Sequence, residues 1–402
     1  MSWERKEFEN LYLIPSRNGL SRPARVRGQG HKFINMGELF SHDRIGAITM
    51  ERVQMNEKEL ANMLVERGDL LFARQSLVAA GAGKCSIVKD FDEPTTFESH
   101  LIRVRLNRQI ANPAFYHYYF KSPICPIRSI VTQGVQAGIK GNDLKNLKVH
   151  VPPVSVQNKI VSILSNYDDL IDNNNRRIAL LEEAVHRLYR EWFVHLRFPG
   201  HERVAVVDGV PEGWEKTLLS HCAKVNSTSI TKKDAPDFLN YVDISSVTTG
   251  RINGYNQYQF SEAPSRARRV VKHGDIVWSM VRPGKRAYAL VLDPVGNMIV
   301  STGFAVISAI TIPYSFLYAL TTTDMFVEHM EIVAIGAAYP AVKPKDFESM
   351  EILIPTTALL AQFDDFSRPA YEQMQKLMNQ NQKLREARDR LLPRLMNGSI
   401  PV

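Results

Sequence analysis

The chain has 402 residues, of which 44% are apolar and 23% are charged, and this usage is ordinary for two or more globular domains. Its start lacks the apolar run of a signal peptide, and no stretch approaches the roughly 18 uncharged apolar residues of a membrane span, so we expect a cytoplasmic protein. The cysteines Cys85, Cys125 and Cys222 have no CxxC or His partner pattern, which argues against disulfides and zinc sites.

The net charge of +8 is spread unevenly along the chain. Residues 1–150 carry 22 Lys and Arg against 15 Asp and Glu, a net charge of +7, whereas residues 201–355 carry 15 against 16. The second part instead clusters its positive charge at 266–272 and 282–286. A basic stripe of this kind can follow a phosphate backbone, and a solvated surface is the alternative.

Short strands separated by Gly- and Asp-rich turns are predicted in both halves of the chain, for example at 69–73 and 275–279. Each half also contains a short helix that begins at a proline, Pro113 or Pro313, a residue that suits the first helical position. The fold class is therefore α/β (α+β).

A long amphipathic helix is predicted after Pro153, and Pro199 and Gly200 end it. Its apolar or bulky residues recur at alternating steps of four and three, namely at Ile160, Leu164, Tyr167, Ile171, Ile178, Leu181, Val185, Leu188 and Trp192, with Asn174 in the one gap. This a/d heptad stripe predicts a coiled-coil seam. The 39 residues from Gln157 to His195 would form a rod of roughly 58 Å.

The chain contains an internal repeat, because a second copy of this pattern lies 203 to 206 residues later. Adding 206 places the second seam at Phe366, Ala370, Gln373, Leu377, Gln380, Leu384, Ala387, Leu391 and Arg394. This seam is more polar, so we expect it to pair with the first helix, and an internal pseudo-two-fold axis would make the pair antiparallel. Asn174 and the glutamines would fix the register of the pair; alternatively, they face solvent at a kink.

These patterns predict two globular domains separated by two long antiparallel coiled-coil helices. The predicted segments are a first globular domain at 1–153, a central helix at 154–198, a second globular domain at 199–355 and a C-terminal helix at 356–402.

Catalytic patterns in the sequence are incomplete. The segment 81–84 resembles the end of a phosphate-binding loop, but Val78 stands where a glycine is required and Cys85 stands where Ser or Thr would hold magnesium. Asn112-Pro-Ala-Phe is similar to the Asn-Pro-Pro-Phe of adenine methyltransferases, but the second proline and a Gly-rich methyl-donor site are missing. We therefore predict no catalytic residue, no metal site and no enzymatic activity for this chain.

Several motifs together resemble Type I restriction-modification specificity subunits. They are Gly68–Arg74, the run from Pro152 to Phe193 followed by Phe198-Pro199-Gly200, Val210–Glu215, Ser301–Phe304 and Leu391–Gly398. The resemblance covers essentially the whole chain and the order of its parts. The first half lacks the Val-Pro-Glu-Gly-Trp opening of the second, although Trp3-Glu4 can stand in for its end.

The resemblance implies that the globular domains are target recognition domains, each reading one half of a split double-stranded DNA site, with the spacer helices setting the gap. Such a subunit binds no cofactor and docks two modification subunits, which use S-adenosylmethionine, and through them restriction and translocase subunits that use ATP and magnesium. It has no membrane partner. Two alternatives are a stand-alone adenine methyltransferase and a coiled-coil scaffold that does not bind DNA.

Candidate residues follow from the chemistry of DNA recognition, in which Arg, Lys, Asn and Gln read base edges while other basic groups hold phosphates. The candidate base readers are Arg74, Gln75, Gln133, Gln136, Ser279, Arg282 and Tyr339. The candidate phosphate contacts are Arg22, Arg25, Arg27, Lys84, Lys140, Lys285, Arg286 and Lys343. The candidate spacer and subunit-docking residues are Ile160, Leu164, Ile171, Asn174, Ile178, Leu181, Leu188, Trp192, Leu377, Leu384 and Leu391.

Overall fold

A computed structural model of the chain describes residues 3–336 and 338–402. The chain divides into two units: unit 1 comprises Met1–Asp172 and Asn381–Val402, and unit 2 comprises Asn173–Gln380. In the described part, none of the helices has the length and apolar character needed to cross a membrane.

Helices of very different length occur along the chain. The α-helices are α1 (Met36–Ser41), α2 (Glu57–Asn62), α3 (Pro113–Lys121), α4 (Gly141–Lys145), α5 (Val154–Tyr189), α6 (Leu219–Cys222), α7 (Tyr314–Thr321), α8 (Asp324–Val333), α9 (Pro344–Glu348) and α10 (Thr357–Met396). The long helices α5 and α10 each contribute residues to both units.

Unit 1 is built on a five-stranded sheet in the order β2-β10-β6-β8-β4 and a three-stranded sheet in the order β5-β3-β9. Two-stranded pairs β1-β12 and β7-β11 complete it. The strands are β1 (Glu4–Glu7), β2 (Tyr12–Asn18), β3 (Arg27–Ile34), β4 (Arg44–Ile45), β5 (Arg52–Val53), β6 (Leu70–Ala73), β7 (Gln75–Ser76), β8 (Cys85–Val88), β9 (Thr95–Phe97), β10 (Leu101–Leu106), β11 (Ala137–Gly138) and β12 (Lys148–Val151).

Unit 2 has two four-stranded sheets, in the orders β16-β25-β22-β23 and β20-β17-β24-β21, together with the pairs β13-β14, β15-β26 and β18-β19. The strands are β13 (Val206–Val207), β14 (Val210–Pro211), β15 (Glu215–Leu218), β16 (Ala223–Val225), β17 (Phe238–Val242), β18 (Val247–Thr248), β19 (Arg251–Ile252), β20 (Asn256–Gln259), β21 (Ala267–Val270), β22 (Ile276–Ser279), β23 (Tyr288–Leu290), β24 (Met298–Ser301), β25 (Phe304–Ala309) and β26 (Glu351–Ile354). The predicted mixture of helix and sheet is confirmed.

The two units open with equivalent strands. Glu4 of β1 pairs with Val151 of β12, and Glu215 of β15 pairs with Ile354 of β26. Trp3 therefore occupies in unit 1 the place that Trp214 occupies in unit 2. The Trp3-Glu4 start thus takes the structural position of Trp214-Glu215, at the end of the longer motif.

The predicted seam positions of α5 are buried or half-buried along the whole helix. In unit 1, Ile160 and Leu164 belong to the same apolar cluster as Leu392 and Leu395 of α10. In unit 2, the ring of Tyr189 lies 6.0 Å from that of Phe363. Early residues of α5 therefore meet late residues of α10 in unit 1, and late residues of α5 meet early residues of α10 in unit 2, which is the contact order of antiparallel helices.

The seam predicted for α10 is partly wrong, because the correct displacement in the helices is 203 rather than 206. A displacement of 203 carries the α5 stripe onto Phe363, Ser367, Ala370, Met374, Leu377, Asn381, Leu384, Arg388, Leu391 and Leu395, all buried or half-buried. Phe366, Gln380 and Arg394 are exposed instead. A three-residue error turns the predicted face by about 60°, and four of the nine predicted positions, Ala370, Leu377, Leu384 and Leu391, lie on the observed stripe.

The polar residues of the seam fall into two groups. Asn174 is 8% exposed and Asn381 is 2% exposed, so both asparagines are buried. Gln380 is exposed and Gln373 is half-buried. The asparagine prediction placed its residue correctly on the inner face, whereas Gln380 faces outward.

A histidine is buried without a hydrogen bond in the core of unit 1. His117 of α3 is 2% exposed, and neither ring nitrogen has a hydrogen-bond partner among the residues that the structure describes. Burial lowers the pKa of His117 to about 3, with the nearby Lys121 acting in the same direction. Asp43, Asp168 and Arg44 are the other charged groups that influence it.

This burial predicts acid sensitivity. The folded-state pKa is depressed, so the folded protein keeps His117 neutral, and below about pH 6.5 only the unfolded chain takes up the proton. Stability should fall by about 1.4 kcal/mol per pH unit between pH 6.5 and pH 3 from this group alone. The equivalent position in unit 2 is Leu317, which is fully buried. His117→Leu should therefore lose less stability than the wild type in chemical denaturation at pH 5 compared with pH 7.5; equal losses would contradict the argument.

Candidate nucleic-acid interface

Two loops of unit 1 pair with each other beyond the end of β6. Strand β7 pairs antiparallel with β11, and the Ile139 N–H donates to the Arg74 carbonyl oxygen at 2.9 Å. We call the segments 74–84 and 128–140 together loop pair 1. Two separate stretches of sequence thus form one surface.

Loop pair 1 gathers most of the candidate DNA contacts of unit 1, namely Arg74, Gln75, Lys84, Gln133, Gln136 and Lys140. The side chains of Gln133, Gln136 and Lys140 are exposed, and those of Arg74 and Gln75 are half-buried. The Lys84 Nζ donates to the Phe40 carbonyl oxygen at 2.7 Å. The segment 74–84 and the segment 128–140 therefore both contribute amide and basic groups to this surface.

The conformation of loop pair 1 is fixed from within. The guanidinium of Arg128 donates to the carbonyl oxygens of Ala79, Ala80 and Ala82 at distances between 2.8 and 3.1 Å. Gly83 has φ of +75°, and a Cβ there would lie 2.9 Å from the Ile127 side chain. These constraints reduce the conformational entropy that binding would otherwise cost.

Unit 2 has an equivalent pair of loops, formed by the segment 280–287 and by the described residues 335–336 and 338–343, which we call loop pair 2. Val281 forms a β-bridge with Ala341, and the Arg282 N–H donates to the Pro340 carbonyl oxygen at 2.7 Å. The hairpin is closed by a bridge between Ile335 and Ala341, just as Thr132 and Gly138 close the hairpin of loop pair 1.

Arg282 is held in a defined orientation at the centre of loop pair 2. Its guanidinium carbon lies 4.3 Å from the ring centroid of Tyr339, and its Nη2 donates to the Ala338 carbonyl oxygen at 3.2 Å. Its backbone has φ of +52°, which is uncommon for a residue other than glycine. Stacking and hydrogen bonding together present the remaining guanidinium donors in one direction.

The other basic residues of loop pair 2 differ in how far they are neutralised. Arg286 pairs with Asp324 at 2.6 Å, and this hydrogen bond raises the pKa of the Arg286 guanidinium. Lys285 and Lys343 are exposed, and no ion pair is found for either within the described residues. Two lysines are therefore available to a phosphate backbone.

The loop pairs contain basic residues and no acidic ones. The four segments 74–84, 128–140, 280–287 and 335–343 contain no Asp or Glu. Each loop pair carries basic residues: Arg74, Lys84, Arg128 and Lys140 in the first, and Arg282, Lys285, Arg286 and Lys343 in the second. Asp324 pairs with Arg286 and Asp43 lies 3.7 Å from Lys84, so neighbouring acidic groups neutralise part of this charge. The remaining basic residues, at the same place in both units, suit a polyanion.

Three candidate phosphate contacts lie apart from loop pair 1, in or just before β3, whose three-stranded sheet differs from that of β6. Arg22 donates to both carboxylate oxygens of Glu59 at 2.6 and 2.8 Å, and Arg27 donates to Glu51 at 2.6 Å. DNA would have to displace these ion pairs. Arg25 is exposed and remains a candidate.

Ser279, a predicted base reader, is buried and cannot contact DNA in this structure. Its side chain is 2% exposed, and its hydroxyl donates to the Val281 carbonyl oxygen at 3.0 Å. The residue precedes loop pair 2 and ends the buried strand β22, which explains why a sequence-based assignment to the loop failed.

Three aliphatic residues of loop pair 1 were missed by the sequence analysis. Leu77, Val78 and Val135 are 84%, 62% and 103% exposed. Aliphatic side chains are normally assigned to the core from sequence alone. Their position in acid-free loops was the signal that could have identified them.

The described residues show no cluster of three or more His, Cys, Asp or Glu side chains that could hold a metal ion. Cys85, Cys125 and Cys222 are buried free thiols. Burial raises the pKa of the Cys125 thiol to about 12, which disfavours the reactive thiolate.

Comparison with known proteins finds matches to one family. Residues 29–183 match the family model of the Type I restriction modification DNA specificity domain. The resemblance to Type I restriction-modification specificity subunits is confirmed. The match includes loop pair 1 and most of helix α5.

Two relatives that match are named specificity subunits of Type I restriction enzymes. The MjaIX specificity subunit of Methanocaldococcus jannaschii is 24% identical over 301 residues, covering 72% of this chain and 69% of that protein. The EcoKI specificity subunit of Escherichia coli is 30% identical over 202 residues, covering 48% of this chain and 42% of that protein.

One solved structure supports the fold. The crystal structure of the Type I restriction-modification S subunit from M. genitalium has a TM-score of 0.59 and 12% sequence identity to this chain. The match covers 98% of this chain and 96% of that one. At this identity the likeness concerns the fold alone.

Proposed function

We propose that this chain is the DNA sequence-specificity subunit of a Type I restriction-modification complex. Loop pair 1 and loop pair 2 each read one half of a bipartite double-stranded DNA site, so that the two units act as two target recognition domains. The observation that carries this proposal is the equivalent placement of an acid-free, basic loop pair in each unit.

The long helices form the spacer of this proposal and set the gap between the half-sites. The predicted docking residues Ile160, Leu164 and Ile178 are buried, so they fill the seam and cannot contact another subunit. Large apolar side chains do remain on the outer surface of the helices: Leu170, Leu180 and Phe366 are 54%, 70% and 45% exposed. Two modification subunits would dock on such positions.

The chemistry would reside on these partners. The modification subunits would supply S-adenosylmethionine and methylate adenine, and restriction and translocase subunits would use ATP and magnesium, all in the cytoplasm. The chain itself would contribute recognition without catalysis.

Mapping methylated adenines in the host genome tests the function. A strain lacking this chain should lose methylation at one bipartite motif, and restoring the chain should recover it. If the strain lacking this chain kept methylation at every motif, the proposal would be contradicted. The purified chain alone, incubated with DNA and S-adenosylmethionine, should transfer no methyl group; transfer would instead favour a stand-alone methyltransferase.

Separate reading of the two half-sites gives a further prediction. Replacing Arg282, Lys285 and Arg286 with Ala should weaken recognition of one half-site, at a cost of about 1–3 kcal/mol for each lost base contact. The reason is that these residues belong to loop pair 2 alone. Binding of the assembled complex to DNA altered in either half measures the effect, with exposed Arg390→Ala as the control. Equal loss of preference at both halves would contradict it.

A further inference from the structure

The aliphatic residues of loop pair 1 form one patch at its tip. Ser76 lies opposite Ala137 in the antiparallel pair of β7 and β11. Leu77 and Val78 follow Ser76, and Val135 lies two residues before Ala137, so the two strands leave the antiparallel pair at the same end and carry these three residues there. All three side chains are more than half exposed. Three strongly exposed aliphatic residues of the unit therefore lie within two residues of the same end of this strand pair, on the candidate DNA surface.

This patch has no role in holding unit 1 together. The side chains of Leu77, Val78 and Val135 belong to none of the apolar clusters of the described residues. The backbone next to Leu77 and Val78 is held by hydrogen bonds, because Arg128 donates to three carbonyl groups of the segment 74–84. Exposed apolar groups on such a fixed support indicate a binding function.

Unit 2 lacks the patch at its equivalent positions. Pro283 and Gly284 stand where unit 1 has Leu77 and Val78, and Ala338 stands where it has Val135. The repeat therefore does not require aliphatic residues at this place. The two loop pairs share a backbone plan and differ in the chemistry of their tips.

The surroundings of the patch favour DNA as its occupant. The segments that carry it contain no acidic residue, and they contain Arg74, Lys84, Arg128 and Lys140. The exposed amides of Gln133 and Gln136 flank Val135. In the major groove, the group that an aliphatic side chain can recognise is the 5-methyl group of thymine, while amides read adenine.

We propose that the aliphatic tip of loop pair 1, formed by Leu77, Val78 and Val135, reads thymine through its 5-methyl group. This inference rests on the proposed function and specifies the chemistry of one half-site. The tip distinguishes a thymine from a cytosine or from a thymine without its methyl group, and the neighbouring glutamines contact adjacent base edges.

The test uses the full chain assembled with its modification subunits and the DNA site identified by methylation mapping. Each thymine of the half-site read by unit 1 is replaced in turn by deoxyuridine, which removes only the methyl group. At one or more positions, the wild-type complex should bind about fourfold more weakly, the effect of one buried carbon group. The Leu77→Ser, Val78→Ser, Val135→Ser variant should bind thymine and deoxyuridine equally.

The control is Val207→Ser, which removes an aliphatic side chain that is 68% exposed in unit 2 and should behave as the wild type. A wild-type complex that discriminates the half-site but ignores every deoxyuridine would overturn the inference and leave the proposed function standing. A variant that keeps the deoxyuridine effect, or that fails to bind the modification subunits, would also overturn it. A wild-type complex without sequence preference would instead refute the proposed function and the inference with it.

Discussion

Replacing Arg388 with Ala is expected to lower the free energy of unfolding by about 3–5 kcal/mol, because it leaves a buried carboxylate without its cation. The guanidinium of Arg388 in α10 donates to Asp168 in α5 at 2.5 Å, and both groups lie in unit 1. The second carboxylate oxygen of Asp168 accepts from the Tyr118 hydroxyl at 2.5 Å. Asp168 is 8% exposed, so solvent cannot replace the lost partner.

Chemical denaturation of the full chain measures this effect. The matched control is Arg390→Ala, an exposed arginine two positions along the same helix, which should change stability by no more than about 0.5 kcal/mol. The equivalent residues in unit 2 are the buried Tyr371 and Val185, which shows that the fold accepts apolar groups at this place. The double variant Asp168→Leu, Arg388→Met should therefore recover most of the loss. A stable Arg388→Ala single variant would refute the argument.

Adding one heptad to each long helix is expected to shift the preferred DNA gap and to weaken binding at the original site. The insertions are placed between Asp172 and Asn173 and between Gln380 and Asn381, where each helix passes from one unit to the other. Seven residues add about 10.5 Å of helix, close to three base pairs of about 3.4 Å each. The seam keeps its phase because a heptad is its own repeat.

The two half-sites on the DNA do not keep their relative rotation about the duplex axis. Three base pairs turn the duplex by roughly 100°, since a full turn takes about 10–10.5 base pairs, and twisting must absorb the mismatch. Methylation mapping with the variant subunit should show a longer preferred gap and a lower extent of methylation. The control carries the insertion in one helix only, which breaks the pairing and should destabilise the protein. A folded double-insertion variant that still prefers the original gap would exclude the helices as the ruler.

The α5 stripe could be read from the sequence because its heptad pattern from Ile160 to Trp192 is local and dense in large apolar residues. The seam of α10 could not be placed equally well, since Phe363 and Leu377 share their stripe with Ser367, Asn381 and Arg388. Burial of such polar residues depends on partners elsewhere in the chain, and sequence periodicity gives no information about them.

The candidate site was predictable in part for a similar reason. Arg282 and Tyr339 were both identified from their loops, but their stacking across 57 positions of sequence emerges only from the fold. The ion pairs of Arg22 with Glu59 and of Arg27 with Glu51 were invisible for the same reason. Residue type predicts what a side chain can bind, whereas its available partners are decided by tertiary structure.

The unlike tips of the two loop pairs give the proposed complex a direction along the duplex. Gln136 and Val135 of the first tip correspond to Tyr339 and Ala338 of the second, so the same backbone plan presents different chemistry at its two ends. A site whose halves were exchanged would meet each tip with the wrong bases. The complex would then bind a given sequence in one orientation only, and each recognised site would have a defined direction along the chromosome.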